Sequence, residues 1–323
     1  MPTVATKIFT ISDDRPGNRR PLGLFSEALA VRLNLTVEHV PAPETAYRWL
    51  GCALQAKLLP YLDSKVEFLD QLSKGLVGDN IFIGCGRSSL PYMHWLRFQG
   101  HDNLIQLLDP YVGHHAFRAI ILPQHDRRTG PNIIKTNLGI TMPPRPDNIA
   151  TQFISSLSPP ICALIIGGNN RRQFMDETDL KRWRSILQAE IPQCRDLAVT
   201  YSRRTPQSIK NNFLDIFNEY NVMIYDGVGD NPYPGLVASS SYVAVTEDSI
   251  NMISECAASA TPMMLLPVQG NLGKFAVIQT FLAEKDRAYP TKFGSSCEPI
   301  WELPQLVEDV LHLLPPTNST TNG

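Results

Sequence analysis

Residues 241–262 read SYVAVTEDSINMISECAASATP, and this stretch predicts a strand, a tight turn and the first turns of a helix. The β-branched, apolar run 242–245 is typical of a buried strand, and apolar residues recur at helical spacing from Ile250 onward. Asp248 or Ser249 is expected to cap the helix. The first N–H groups of the helix and its positive dipole end then point beyond the strand, where they favour an anion.

A second acid in this stretch, Glu255, follows Asp248 by about two helical turns. Both carboxylates are therefore expected on one helix face, where an acid suits the hydroxyl groups of a ribose. An ordinary βα unit with a capped helix explains the same residues without any ligand.

The composition is that of a globular protein without a general affinity for polyanions. The chain has 323 residues, which favours two domains, and a formal net charge of −2, which argues against a nucleic-acid binder. No apolar run reaches the roughly 20 residues that span a bilayer. The first residues also lack the order of a signal peptide, so we expect a cytoplasmic protein.

Cysteine and histidine positions give little support for a metal site. The six cysteines are scattered without C-x-x-C spacing, and we interpret them as reduced core thiols. His114 and His115 are adjacent rather than one helical turn apart. We therefore predict no metal site.

The first half of the chain alternates short apolar runs with helical patterns, which predicts a doubly wound, mostly parallel sheet. Ligands of such sheets gather outside the carboxyl ends of the strands. The polar residues predicted at that edge are Asp13, Asp14, Arg87, Asp109, His125 and Asp126. Residues 12–21 are expected to form a polar loop there, followed by a helix over 22–33.

The composition changes between residues 141 and 160, where TMPPRPDNIATQFISSLSPP contains five prolines. This change predicts a boundary between a Rossmann-like domain over 1–145 and a second one over 146–298. A last helix is expected within 299–314, before a polar, disordered tail over 315–323.

Two loops of the second half suit a phosphate. Gly167, Gly168 and Asn169 follow a predicted strand over 161–166, and glycine lets the backbone approach an anion closely. The run 202–205, SRRT, follows the next strand, and guanidinium groups fit phosphate oxygens. A plain turn and a solvated surface loop are the alternatives.

Several short motifs together resemble the plant mitochondrial fission factor (elongated-mitochondria) family and its bacterial relatives. They are GGN at 167–169, TYSRRTP at 200–206, NPY at 231–233, VTEDS at 245–249 and MISE at 252–255, with GCGRS at 84–88 and PQHD at 123–126. The resemblance covers nearly the whole chain. TEDSINMISE is also similar in layout to the donor-binding turn of the bacterial transferase that adds N-acetylglucosamine to the peptidoglycan lipid precursor.

The resemblance implies the GT-B glycosyltransferase fold: two Rossmann-like, doubly wound α/β domains that face each other across a cleft. The first domain would take the acceptor and the second the nucleotide sugar, and the last helix would pack back on the first domain. The donor-binding residues would be Gly167, Gly168, Asn169, Ser202, Arg203, Arg204, Thr205, Asn231, Tyr233, Asp248, Ser249 and Glu255. Asp14, Gly86, Arg87 and Ser88 would lie on the acceptor side.

The expected activity is metal-independent transfer of a sugar from a nucleotide diphosphate to an envelope lipid or polysaccharide. No cofactor is expected, and the protein would be cytoplasmic, with a peripheral contact to the inner membrane face. Asp13, His125 or Asp126 would take the acceptor's proton.

One departure from the family pattern bears on catalysis. Relatives carry an Asp-Gly-x-x-Gly-His-x-x-Gln loop after the first strand, whereas this chain has Asn18 at the histidine position and lacks the glutamine. A base in that loop would have to be a carboxylate. The rival interpretation is a catalytically silent adaptor of the same fold that binds a protein partner at a membrane.

Overall fold

The computed structural model describes residues 7–13, 15–42, 51–58, 80–273 and 275–315. The chain divides into two compact units, one formed by residues 1–136 with 302–323 and the other by residues 137–301. The division falls after residue 136 rather than after the predicted residue 145, because the proline-rich stretch belongs to the second unit.

Strands and helices alternate along most of the described chain. The strands are β1 (Lys7–Ser12), β2 (Thr36–Pro41), β3 (Ile81–Cys85), β4 (Leu104–Leu107), β5 (Ala119–Pro123), β6 (Ile133–Thr136), β7 (Ile161–Ile166), β8 (Gln173–Phe174), β9 (Asp196–Tyr201), β10 (Asn221–Tyr225), β11 (Tyr242–Thr246), β12 (Met263–Leu266), β13 (Gln269–Gly270), β14 (Ala288–Tyr289) and β15 (Lys292–Phe293). The helices are α1 (Pro16–Leu33), α2 (Cys52–Leu58), α3 (Gly86–Phe98), α4 (Asn148–Phe153), α5 (Glu177–Glu190), α6 (Gln207–Ile216), α7 (Tyr233–Ser239), α8 (Ile250–Ala257), α9 (Phe275–Glu284) and α10 (Leu303–Leu313).

The first unit is built on a parallel sheet with the strand order β2-β1-β3-β4-β5-β6. The order reverses between β1 and β3, and such a switch point is where ligands of open α/β sheets bind. The last helix, α10, packs on α1 and β6 of this unit, with an ion pair of 2.6 Å between Arg32 and Glu308.

The second unit has a five-stranded parallel sheet with the order β10-β9-β7-β11-β12, which is the order 3-2-1-4-5 of a Rossmann half. Its central strands are apolar along their whole length, as ICALII of β7 illustrates, because helices cover both faces of a parallel sheet. The switch point lies between β7 and β11. The stretch 241–262 therefore supplies one side of it.

Apolar runs predict strands over 161–166 and 263–266, the pattern over about 177–190 predicts a helix, and the structure confirms all three. Residues 12–21 were predicted to form a polar loop, and this prediction is wrong for residues 16–21. Helix α1 begins at Pro16, where the fixed φ of proline suits a first helical turn, and it continues through Pro21. Helix α4 lies in the proline-rich segment 141–160, for which no helix was predicted, and α7 also lies where none was predicted.

Some predictions concern residues outside the described ranges. They include Asp14, the disordered tail from residue 316 onward, and most of the helical segment predicted over 47–76, of which the structure describes Cys52–Leu58 as α2.

Helix α8 is anchored at its carboxyl end by a fully buried arginine, Arg287. Its guanidinium donates hydrogen bonds to the carbonyl groups of Cys256, Ala257, Ser259, Thr261 and Ser296. The last carbonyls of a helix have no partner inside the helix, and a cation offsets the negative dipole end. Arg287 thus fixes the helix whose opposite end borders the switch point.

We predict that Arg287→Met lowers the free energy of unfolding by about 3–5 kcal/mol, because it leaves buried carbonyl groups without donors. Urea unfolding followed by circular dichroism measures the change. Arg195→Met, which removes an exposed arginine of the same unit, should change it by about 0.5 kcal/mol or less. Equal midpoints for the two variants would contradict this role of Arg287.

Candidate functional site

The site of the second unit lies at the carboxyl ends of β7, β9 and β11, where three loops meet. The loop after β7 holds Gly167 and Gly168, the loop after β9 holds residues 202–206, and the turn after β11 holds Asp248. Hydrogen bonds between these loops join residues that are distant in the sequence.

Asp248 is the centre of this arrangement. Its carboxylate is fully buried and accepts hydrogen bonds from the Gly168 backbone N–H at 2.9 Å and the Thr246 hydroxyl at 2.7 Å. The guanidinium of Arg204 forms an ion pair with it at 3.2 Å. A buried carboxylate needs such partners, and here they come from the loop after β7, the loop after β9 and the end of β11.

Gly167 and Gly168 are required by close contacts within the protein. A Cβ atom at Gly167 would lie 2.1 Å from the Asp248 carboxylate, and one at Gly168 would lie 2.1 Å from the Arg204 backbone. Neither glycine has a positive φ, so the constraint is space rather than backbone conformation.

The backbone N–H groups of this loop are all used inside the protein. Gly167 donates to the Thr246 hydroxyl at 2.8 Å, Gly168 to Asp248, and Asn169 to the carbonyl of Arg204 at 3.2 Å. The prediction that these amides face a phosphate therefore does not match their geometry, because an internal acceptor occupies each of them.

The two adjacent arginines have different environments. Arg204 donates to the carbonyls of Gly168 and Asn169 and pairs with Asp248, so it holds the loop after β7 in place. Arg203 is exposed and has no hydrogen-bond or ion-pair partner within the described part of the chain. Both guanidinium groups are accessible to solvent, since the Arg204 side chain is 46% exposed, but that of Arg203 has no internal partner among the described residues.

The remaining residues of the SRRT motif are structural. Thr205 is buried, and its hydroxyl donates to the carbonyl of Gly167. The Ser202 hydroxyl accepts from the Arg204 backbone N–H at 3.1 Å.

Asn169 of the loop after β7 is exposed, and its side-chain oxygen accepts from the Met175 backbone N–H at 2.9 Å.

Helix α8 begins beside Asp248 without a side-chain cap, which corrects the expectation that Asp248 or Ser249 caps it. Ser249 stands at the N-cap position, but its hydroxyl accepts no hydrogen bond from the first turn. The Asp248 carboxylate is directed to Gly168 and Arg204 instead. The first turn of α8 therefore keeps its positive dipole end without a capping side chain.

Three predicted donor-binding residues form a chain of contacts beside α8. The Tyr233 hydroxyl donates to the Glu255 carboxylate, and the Tyr233 backbone N–H donates to the Asn231 side chain at 3.1 Å. Tyr233 and Glu255 are half-buried, whereas Asn231 is exposed. The structure therefore brings these residues together, as their shared motif set implied.

Sequence reasoning missed two contributors to the site. Thr246, at the end of β11, links Gly167 to Asp248. Glu247 is buried and accepts from the Val268 backbone N–H at 2.9 Å and from the Gln279 side chain. Burial raises the pKa of Glu247, and these hydrogen bonds lower it in part. Thr246 and Glu247 stand directly before Asp248 in the TEDS motif, and this position was the signal that could have identified them.

In the first unit, Asp13 and Gly86 lie on either side of the switch point between β1 and β3. The Asp13 carboxylate accepts from the Asn18 amide at 2.9 Å and lies 3.6 Å from the Arg15 guanidinium. Gly86 has φ +73°, and a Cβ atom there would lie 2.9 Å from the Asn18 amide. Asn18 thus occupies the space between the two loops.

The other predicted residues of this unit lie in the first turn of α3 and after β5. The Arg87 guanidinium lies 4.0 Å from the centre of the Tyr111 ring, and the Ser88 hydroxyl is buried without a hydrogen-bond partner among the described residues. His125 and Asp126 are half-buried after β5, and the Asp126 carboxylate accepts from the Arg128 N–H at 2.9 Å.

Among the described residues, no group of three or more His, Cys, Asp or Glu side chains is placed to hold a metal ion. None of the described helices is both long and apolar enough to cross a membrane.

Solved structures of nucleotide-sugar enzymes share this fold. The UDP-GlcNAc 2-epimerase from Methanocaldococcus jannaschii is 14% identical, with a TM-score of 0.51 over 95% of this chain and 100% of that chain. Anabaena Alr3699/HepE, solved in complex with UDP-glucose, is 10% identical, with a TM-score of 0.52 over 95% of this chain and 100% of that chain. The predicted GT-B-like α/β fold is confirmed.

The family follows from the sequence comparisons. The model of the mitochondrial fission ELM1 family matches residues 17–314, and the chain belongs to that family. It is 29% identical to the uncharacterized protein RP120 of Rickettsia prowazekii, over 80% of this chain and 82% of that protein. It is 22% identical to the mitochondrial fission protein ELM1 of Arabidopsis thaliana, over 64% of this chain and 56% of the plant protein.

We predict that Gly168→Ala lowers the free energy of unfolding by about 1–3 kcal/mol, because its Cβ would displace the Arg204 backbone. Chemical denaturation measures the change. Gly23→Ala is the matched control, since nothing lies within 4 Å of a Cβ there and alanine favours the helix that contains it. A neutral effect of Gly168→Ala would show that the two loops are not held together as described.

Proposed function

We propose that this protein binds a nucleotide-diphosphate sugar at the carboxyl edge of the second unit and transfers the sugar to an acceptor. The observation that carries the proposal is the exposed Arg203 guanidinium without a described partner, on a loop that Arg204 and Asp248 hold at the switch point. Ligands of Rossmann-like sheets bind at this position. UDP-glucose bound to Anabaena Alr3699/HepE, a protein of the same fold, supports the ligand class.

The residues divide into those that contact the donor and those that position the contacts. Arg203 and the uncapped first turn of α8 face the diphosphate, because both offer positive charge to an anion. Glu255 and Tyr233 face the ribose. Arg204, Thr205, Asp248 and the two glycines act indirectly by fixing the loops.

The chemistry assigned to the site is substitution at the anomeric carbon. An acceptor hydroxyl oxygen forms the new bond to that carbon, its proton passes to a base, and the bond to the diphosphate oxygen breaks. Negative charge grows on the leaving diphosphate, so Arg203 stabilises the transition state more than the ground state. We place the base among Asp13, His125 and Asp126, and we propose an envelope lipid or polysaccharide as the acceptor.

A second candidate function is an adaptor that binds a partner protein without chemistry, which the name of the Arabidopsis thaliana relative favours. Nucleotide binding separates the two candidates. A ligand that binds only the folded protein stabilises it by about 2.7 kcal/mol at a hundredfold excess over Kd. A thermal shift with UDP, GDP or CDP at millimolar concentration supports the donor site, and no shift with any of them supports the adaptor.

We predict that Arg203→Ala reduces turnover about a hundredfold to a thousandfold in an assay of nucleotide-diphosphate release, while the melting temperature without ligand is unchanged. Arg203→Lys should restore only part of the activity, because an ammonium group lacks the planar fork of a guanidinium. Arg195→Ala is the matched control on the same unit. Equal activities of Arg203→Ala and Arg195→Ala would remove Arg203 from the mechanism.

We predict that Glu255→Gln weakens UDP binding about tenfold, because it removes a charged acceptor for ribose hydroxyls. Calorimetry with UDP and with 2′,3′-dideoxy-UDP tests the assignment directly. The native protein should prefer UDP, and Glu255→Gln should lose most of that preference. If the variant keeps the preference for UDP, the ribose lies elsewhere. Tyr233→Phe tests separately whether the hydrogen bond from Tyr233 to Glu255 contributes to UDP binding.

A further inference from the structure

The loop that follows β4 exposes three apolar side chains on six residues, 108–113, and we call it the 108–113 loop. Leu108 is 40%, Tyr111 47% and Val112 52% exposed. Single exposed apolar residues are ordinary on a protein surface, but a contiguous group marks an interaction site.

The backbone of this loop is held in an unfavourable conformation that keeps those side chains outside. Leu108 has φ 70° and Tyr111 has φ 62°, in the left-handed region that bulky residues rarely adopt. Such strain persists only where the surroundings enforce it, and it concentrates at functional sites.

Polar contacts enforce the conformation from inside the loop. The Asp109 carboxylate accepts from the Tyr111 backbone N–H at 2.8 Å and from the Arg128 guanidinium at 2.9 Å. Arg128 also donates to the Tyr111 carbonyl at 3.2 Å. Gly113, with φ +67°, packs on the buried ring of His94, where a Cβ would lie 2.6 Å from the ring. The loop is therefore braced and does not fold its apolar side chains inward.

Two arginines, Arg87 and Arg128, contact Tyr111 of this loop, although the whole chain carries a net charge of −2. The Arg87 guanidinium lies over the Tyr111 ring, and the exposed Arg127 has no ion-pair or hydrogen-bond partner in the described ranges. Along the carboxyl edge of this sheet, the charged residues that the structure describes are Arg15, Arg19, Arg20, Arg87, Arg127 and Arg128 against Asp13, Asp109 and Asp126. This edge is locally basic.

We propose that the 108–113 loop and the arginines beside it dock the protein on the surface of an anionic lipid bilayer. Val112 and Leu108 would enter the boundary between headgroups and acyl chains, and the Tyr111 ring would lie at the headgroup level. Arg87 and Arg127 would contact lipid phosphates.

Charge and size favour a bilayer over a folded partner. A stable protein interface buries about 800 Å² on each partner, and three side chains on a short loop provide only a fraction of that area. A short loop with exposed apolar side chains beside arginines instead has the two components of interfacial membrane binding, which are apolar burial and attraction to anionic lipid. The proposal does not depend on the transferase activity, because an adaptor could use the same surface.

Co-sedimentation of the full chain with vesicles tests the proposal. One set contains only phosphatidylcholine and the other equal parts of phosphatidylcholine and phosphatidylglycerol. We expect binding to the anionic vesicles that weakens as salt is raised. Val112→Ser should weaken it about tenfold and Arg127→Gln about fivefold. Val31→Ser, at an apolar side chain that is 82% exposed on α1, and Arg195→Gln are the matched controls and should bind like the native chain.

Three results would overturn the proposal: no binding to anionic vesicles, equal loss in the control variants, or a dimer in sedimentation velocity that Val112→Ser dissociates. The last result would show that a second copy covers the loop. Circular dichroism confirms that each variant is folded. The UDP thermal shift of each variant should equal that of the native chain, so that failed docking is distinguishable from a failed donor site.

Discussion

The site of the second unit depends on one buried carboxylate, that of Asp248. An ionised group without access to water is tolerated only when hydrogen bonds and an opposite charge surround it. Gly168 of the loop after β7, Arg204 of the loop after β9 and Thr246 at the end of β11 supply those partners, so the loops cannot separate without leaving the charge unpaired. The same requirement explains the glycines at 167 and 168, since any Cβ would occupy the space of these contacts.

Helix α8 connects this charge to the rest of the unit. Its amino end begins directly after Asp248 and has no side-chain cap, while its carboxyl end is closed by the buried guanidinium of Arg287. A cation at the carboxyl end satisfies the carbonyl groups there and leaves the amino end as the exposed positive pole. The carboxyl end of α8 is thus held by Arg287, and its uncapped amino end is left for the phosphate of the proposed ligand.

Much of the fold could be predicted from the sequence because apolar periodicity reports burial. The strands 161–166 and 263–266 and the helix 177–190 have uniform patterns and clear limits, and they were placed correctly. The prediction placed the start of α1 at residue 22 instead of Pro16, because the first turn of the helix is polar and proline-rich. The short helices α4 and α7 have too few turns to show a helical period in the sequence. Motifs indicated which loops meet, but they did not show which groups were already bonded.

That last difference changes the interpretation of the site. In the sequence, the glycine loop and the SRRT loop both suit a phosphate, and nothing shows which of the two arginines faces a ligand. In the structure, the amides of 167–169 are all occupied, and Arg203 is the arginine of the pair that has no partner among the described residues. The ion pair between the partly exposed Arg204 guanidinium and the buried Asp248 carboxylate is weak evidence for stability, because apolar residues of similar volume often stabilise as well. Its effect here is geometric: it holds the SRRT loop so that Arg203 lies at the switch point with its guanidinium free of internal partners among the described residues. A guanidinium held in this position suits the anionic ligand that we propose.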